Sequence, residues 1–266
     1  MNSTVDTIAI PLQKSTVLFL TLLRGRTQVF PGKLVSSSVE SGSQSTISGL
    51  HSSTSREGKG GLSMHNAREG VPAYTYGTPD VSESSVSLEE LRALRVSVGF
   101  TDADEQYLRK AGEVLANQVT QIVQHWRSGI IAGIPNLARH SRSLAGEPLP
   151  DYLAKSNLRF EQWILDTCMR PYDQAWLNYQ QEIALRHTSL KKNRADQVES
   201  TAFVPFRDIT AFVAVLNETI KPYLASAGDS AEDVDAMHLA WCRSLQLQMA
   251  LWSRVYMDLA KTKNEW

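Results

Sequence analysis

The residues best placed to do chemistry lie between Pro171 and His187. Within that segment Trp176, Tyr179, Ile183 and His187 recur at intervals of three, four and four, so on a helix they share one face. A neutral imidazole can give the lone pair of one ring nitrogen to iron while its other N–H donates to a nearby carbonyl. The end of a helix, where backbone carbonyls lack intrahelical partners, suits that second bond. The aromatic and aliphatic neighbours one and two turns back would form an apolar floor under a flat cofactor such as a porphyrin. Spacing alone leaves two readings of His187, a satisfied core histidine or an iron ligand. The remaining histidines are poorer ligands on local context. His51 and His65 sit in a Ser/Gly-rich stretch, His125 shares a face with Gln118 and Gln121, His140 lies in a Ser/Arg-rich loop, and His238 neighbours Met237 and precedes Cys242 by one turn.

A helical frame must position these residues. Ser87 and Glu90 have the spacing of a capping box at the start of a helix, and Thr101 and Asp104 repeat it at the next. In that second helix Leu115, Val119, Ile122, Trp126 and Ile130 form one apolar stripe. Gly133, Pro135, Gly146, Pro148 and Pro150 mark a break. Further helices are expected from about Tyr152 to Thr167, from Pro171 to His187, from Pro205 to Leu224 and from Ala231 to Ala260, with a polar loop from Ser189 to Glu199. There is no strand alternation and no internal repeat. About seven helices in ~190 residues make a single all-α domain, spanning residues 71–260, with residues 261–266 as a short C-terminal tail.

The first 70 residues differ in composition. From Ser36 to Glu69 the chain is rich in Ser, Gly and Thr and poor in large apolar residues, the composition of a disordered tail. Between Thr7 and Val39 it holds Lys14, Arg24, Arg26 and Lys33 with no acidic residue until Glu40, around the apolar run Val17–Leu23. Such a segment reads as an organellar transit peptide, a weak secretory signal or a solvated tail. The location is therefore expected to be cytoplasmic, or organellar if the segment is a transit peptide.

Bulk properties exclude several classes. The 266 residues carry a formal net charge of −1 and a mean hydropathy of −0.25, so nothing draws the chain to nucleic acid or an anionic membrane. No apolar run approaches the ~20 residues of a transmembrane helix. Two cysteines, Cys168 and Cys242, make neither a disulfide framework nor a zinc site.

Ordered sequence blocks sharpen the reading. Val71-Pro-Ala-Tyr-Thr-Tyr-Gly77, Leu108-Arg-Lys-Ala-Gly-Glu-Val-Leu115, Trp163-Ile-Leu-Asp-Thr167, Tyr172-Asp-Gln-Ala-Trp-Leu177, Leu185-Arg-His187, Lys191-Lys-Asn193 and Leu247-Gln-Met-Ala-Leu-Trp252 follow one another from Val71 to Tyr256. With them the chain resembles the protoglobins, single-domain relatives of the globin-coupled sensors. The resemblance implies a globin fold with an additional N-terminal helix, here Leu88 to about Val96, and a loop around Tyr74–Gly77 folding over the edge of a buried haem b. It implies His187 as the iron ligand and Trp126 and Phe160 as aromatic residues opposite it, both of which, without the resemblance, read as core. Arg159 is either a partner for a haem propionate or a solvated surface residue. One position departs from the family pattern. Arg127 follows Trp126 where a tyrosine is usual. A buried unpaired guanidinium is costly, so Arg127 should snorkel outward, pair with a propionate, or donate to an anionic ligand.

Three functions follow from the resemblance. The first is binding of a diatomic gas (O₂, CO or NO) at a haem iron with one open position, for sensing or scavenging, with no catalytic residues. Only ten residues follow Tyr256, so a signal would pass to a separate partner. The second is peroxidase-like or nitric oxide and peroxynitrite detoxifying chemistry. It would need His125 and Arg127 together over the iron, although they point about 160° apart on a helix. The third is a haem-free globin scaffold. The resemblance also implies a homodimer through the last two long helices, where Trp241, Leu245, Gln248 and Trp252 could serve either that contact or the core.

Overall fold

Ser87 opens the helical domain as read. Its hydroxyl accepts from the Glu90 N–H at 3.2 Å while the Glu90 carboxylate accepts from the Ser87 N–H at 2.9 Å. This reciprocal cap starts α1, Leu88–Val98, and Thr101 with Asp104 starts α2, Asp102–Leu115, in the same way. The computed structural model describes residues 70–263, with side chains through residue 261. The basic and Ser/Gly-rich segments, His51 and His65 lie outside the described residues.

The remaining helices are α3 (Val119–Gln124), α4 (Pro135–Ala138), α5 (Pro150–Met169), α6 (Gln174–His187), α7 (Phe206–Leu224) and α8 (Ala231–Lys263). The described residues thus hold eight α-helices and no strand, only two isolated bridges in the loops. This is the expected all-α globin architecture with an additional first helix. α8 takes in the first residues of the segment read as a tail.

The expected single helix from Thr101 past Ile130 is instead three pieces. A turn at residues 116–118 separates α2 from α3, and α3 passes at His125 into a π-helical turn, His125–Ile130, then a short 3₁₀ turn, Ile131–Gly133. The apolar stripe survives the interruption, because Leu115, Val119, Ile122 and Trp126 are all at most 1% exposed. Asp173, not Pro171, caps α6, its carboxylate accepting from the Trp176 N–H at 2.9 Å.

α8 is the spine. Its 33 residues reach about 50 Å, and Val234, Met237, Trp241, Leu245, Trp252, Val255 and Leu259 give it a continuous buried stripe. α1, α2, α6 and α7 all pack on it, while α5 crosses α2 and α3. Gly112 makes the α2–α5 crossing possible, since a Cβ there would collide with the Met169 side chain and touch Cys168. Trp241, Leu245, Gln248 and Trp252 are thereby core residues.

Candidate functional site

α5, α6, α7, α8 and the π turn enclose a cavity of about 280 Å³. Its apolar wall includes Phe160 and Trp163 from α5, Tyr179 and Ile183 from α6, Phe212 and Leu216 from α7, and Leu245 and Trp252 from α8. α6 ends at His187, which also lines the cavity. Its Nδ1 lies 2.8 Å from the Ile183 carbonyl oxygen. A carbonyl only accepts, so Nδ1 carries the proton and Nε2 keeps its lone pair. The Trp252 indole stacks against the imidazole with centroids 5.6 Å apart and is itself anchored by donating to Gln180 Oε1 at 2.9 Å. Among the described residues Nε2 has no hydrogen-bond partner. Burial pushes the His187 pKa down to about 4, so the ring is neutral at physiological pH, the state needed for metal ligation.

The structure redistributes the expected aromatic residues. Trp176 does not reach the cavity. It is fully buried and stacks on Tyr172 at 4.0 Å between centroids. Trp126 also stands behind the wall, donating its indole N–H to Thr219 Oγ1 at 2.8 Å and packing on Phe160 at 5.2 Å. Phe160 faces the space and Trp126 fixes its position.

The π turn presents Arg127 to the cavity. Rather than snorkelling, its guanidinium is enclosed, donating to Ser156 Oγ at 2.8 Å and reaching Ser141 Oγ at 3.5 Å, and lying 5.2 Å from the Phe160 ring centre. Nε finds no acceptor, and desolvation disfavours the charge. No carboxylate among the described residues pairs with it. His125 turns outward instead, its Nδ1 3.0 Å from the Tyr223 hydroxyl. The residue pair required by a peroxidase mechanism is therefore not assembled over the cavity.

Arg159 lines the cavity, but Asp196 matches its charge at 2.6 Å and the Pro72 carbonyl takes a further N–H at 3.0 Å. Among the described residues a second cation without a carboxylate is Lys192, which is 7% exposed and bonded to Asn193 Oδ1 at 2.9 Å. Desolvation pushes its pKa down to about 8. Sequence reasoning missed Lys192, although it lies within a block that carried the resemblance. It also missed His140, which is 7% exposed and bonded through Nδ1 to Thr201 Oγ1 at 2.8 Å; nothing in a Ser/Arg-rich loop signals burial. Phe212, Val213 and Leu216 have helical spacing that cannot be told from core packing.

A strap closes one side. The segment around Tyr74–Gly77 packs beside the cavity, with Tyr74 on its wall. Tyr74 donates to Asp166 Oδ2 at 2.7 Å, Tyr74 and Tyr76 pack edge-on against Tyr179 at 5.4 and 5.3 Å, and Arg186 donates to the Ala73 carbonyl at 2.6 Å and Thr75 Oγ1 at 2.9 Å.

The contents of the cavity fit haem. It offers one neutral imidazole with an open nitrogen, a flat aromatic wall, and two cations, Arg127 and Lys192, that pair with no carboxylate among the described residues. The family model described as Protoglobin matches residues 87–262. The chain therefore belongs to the protoglobin family, globins that bind haem b. No individual curated protein matches it, and the strap around Tyr74 lies upstream of the family match. Among the described residues no helix is long and apolar enough to cross a membrane.

Proposed function

We propose that His187 ligates haem iron through Nε2 and that the protein binds a diatomic gas on the other side of the haem, for sensing or scavenging. The observation that carries this reading is the polarised imidazole: Nδ1–H tied to Ile183, Nε2 open, and the ring braced by Trp252. Haem, when bound, would supply an iron able to take O₂, CO or NO. The chain's own residues do the rest. Ile183 and Trp252 orient the imidazole, Phe160 with Trp126 behind it narrows the space, and the apolar wall excludes water. Lys192 provides charge for a propionate, a role to which it is better suited than Arg159, whose carboxylate partner is already in place. A homodimer through α7 and α8, as the resemblance implies, would use outward residues such as Leu239 and Met257, which are 48% and 61% exposed, because the inner stripe is occupied.

Absorption spectra of the haem-reconstituted protein in ferric, ferrous and CO-bound forms test the reading. A Soret band that shifts with CO is expected. His187→Gly should alter the axial spectra and recover with added imidazole; unchanged spectra would show that another residue holds the iron. A protein that takes up no haem would leave only a scaffold role.

A further inference from the structure

The charge at Arg127 has no internal explanation. Its surroundings are a polar corner of the cavity, made of the guanidinium, the Ser141 and Ser156 hydroxyls and the Tyr152 phenol, all on the cavity wall. Each serine accepts from Arg127, which leaves its own O–H available to donate. Tyr152 makes no hydrogen bond among the described residues, and burial raises its pKa, so its phenol is protonated. Each of the three hydroxyls can thus donate a proton, and the full charge at the corner is positive. The same corner would serve a neutral diatomic ligand poorly. A desolvated cation interacts far more strongly with an anion than with a weak dipole, and its burial is compensated only when a negative partner arrives.

We propose that Arg127, with Ser141, Ser156 and Tyr152, forms a binding corner for a small monovalent anion of the size of azide or nitrite, beside the haem. The proposal rests on haem occupying this cavity. It makes the protein selective for anionic ligands of the ferric state. The anion fits because it carries one charge, offers acceptor atoms to several donors, and is small. Arg159 and Lys192 also border the cavity, but Asp196 neutralises the first, and Lys192 projects from the loop after His187, with Asn193 Oδ1 as its partner.

The test is absorbance titration of the ferric haem-reconstituted protein with azide and with nitrite, compared with CO binding to the ferrous form. Arg127→Leu should weaken both anions by about tenfold or more, as expected for loss of a charge-assisted bond, while CO affinity stays nearly unchanged. Arg127→Lys should recover part of the loss, and Ser156→Ala and Tyr152→Phe should each weaken the anions by a smaller factor. Equal anion affinities in Arg127→Leu and the wild type would overturn the corner. So would equal losses for azide and CO, which would mark a steric effect. Unchanged anion affinity with faster haem transfer to apomyoglobin would assign the guanidinium to a propionate instead. A chain showing no haem spectrum would overturn the underlying placement of haem, an outcome distinct from all of these.

Discussion

Two cations, Arg127 and Lys192, line the cavity with no carboxylate partner among the described residues, and desolvation disfavours the charge of each. Lys192 has the measurable signature. Its pKa of about 8 lies below the ordinary 10.5, so between those values the unfolded chain holds a proton that the folded chain lacks. Stability of the haem-free protein should therefore rise as pH goes from about 8 to about 10.5, with the full penalty present below 8. Lys192→Met should raise the stability of the haem-free protein at pH 7 by on the order of 2–3 kcal/mol and flatten that rise, as followed by urea denaturation across pH. The same variant should lose haem faster. A wild-type curve with no rise above pH 8 would show that Lys192 is solvated. At this scale the sequence was legible in part. His187 stood out by its helical spacing and its sequence block. Trp126 stood out too, but its indole turned out to brace Phe160 from behind, because side-chain direction depends on backbone register. Lys192 was invisible as a site residue, since nothing in an isolated Lys-Lys-Asn distinguishes a buried ammonium from a solvated one.

The helices that carry the site were legible where local chemistry starts them. Both capping boxes were readable because a hydroxyl three residues before a carboxylate satisfies two N–H groups at once. The π turn was not. It keeps the apolar spacing of α3 through Trp126 and departs only after His125, so periodicity sees one continuous stripe. π turns are rare and concentrate at functional sites, and this one presents Arg127 to the cavity while His125 faces outward. α6 illustrates the opposite error. Pro171 suggested its start, but the Asp173 carboxylate caps it two residues further on. Asp173→Ala should lower stability by about 1 kcal/mol in thermal or urea unfolding, and the haem spectra should stay as in the wild type, because at the far end of the helix the His187 ring remains held by the Ile183 carbonyl and Trp252. Altered axial spectra would mean that the cap also sets the pitch at which His187 meets the iron.

For the molecule as a whole, the order of the sequence blocks gave the architecture, since the blocks fall on helices that reach the α8 spine or the cavity, except Val71–Gly77 in the strap and Lys191–Asn193 in the loop after α6. It did not give the cavity lining, which depends on how five elements converge. The strap is the part least anchored in any helix and the part whose removal should be felt furthest away. Tyr74→Ala deletes the bond to Asp166 and the edge-on contact with Tyr179. Haem transfer to apomyoglobin should then accelerate by about tenfold, in keeping with one charge-assisted hydrogen bond and an aromatic contact, and CO should rebind faster after photolysis. Unchanged transfer would show that the strap decorates the cavity without closing it.

The strap also bears on how the protein is made. Arg159 from α5 holds the Pro72 carbonyl, Arg186 from α6 holds the Ala73 carbonyl, and Asn178 and Gln181 take the Ser84 and Ser85 N–H groups. If haem enters on the strap side, those links must open first, and uptake would be faster into a bundle whose strap is still undocked than into the closed one.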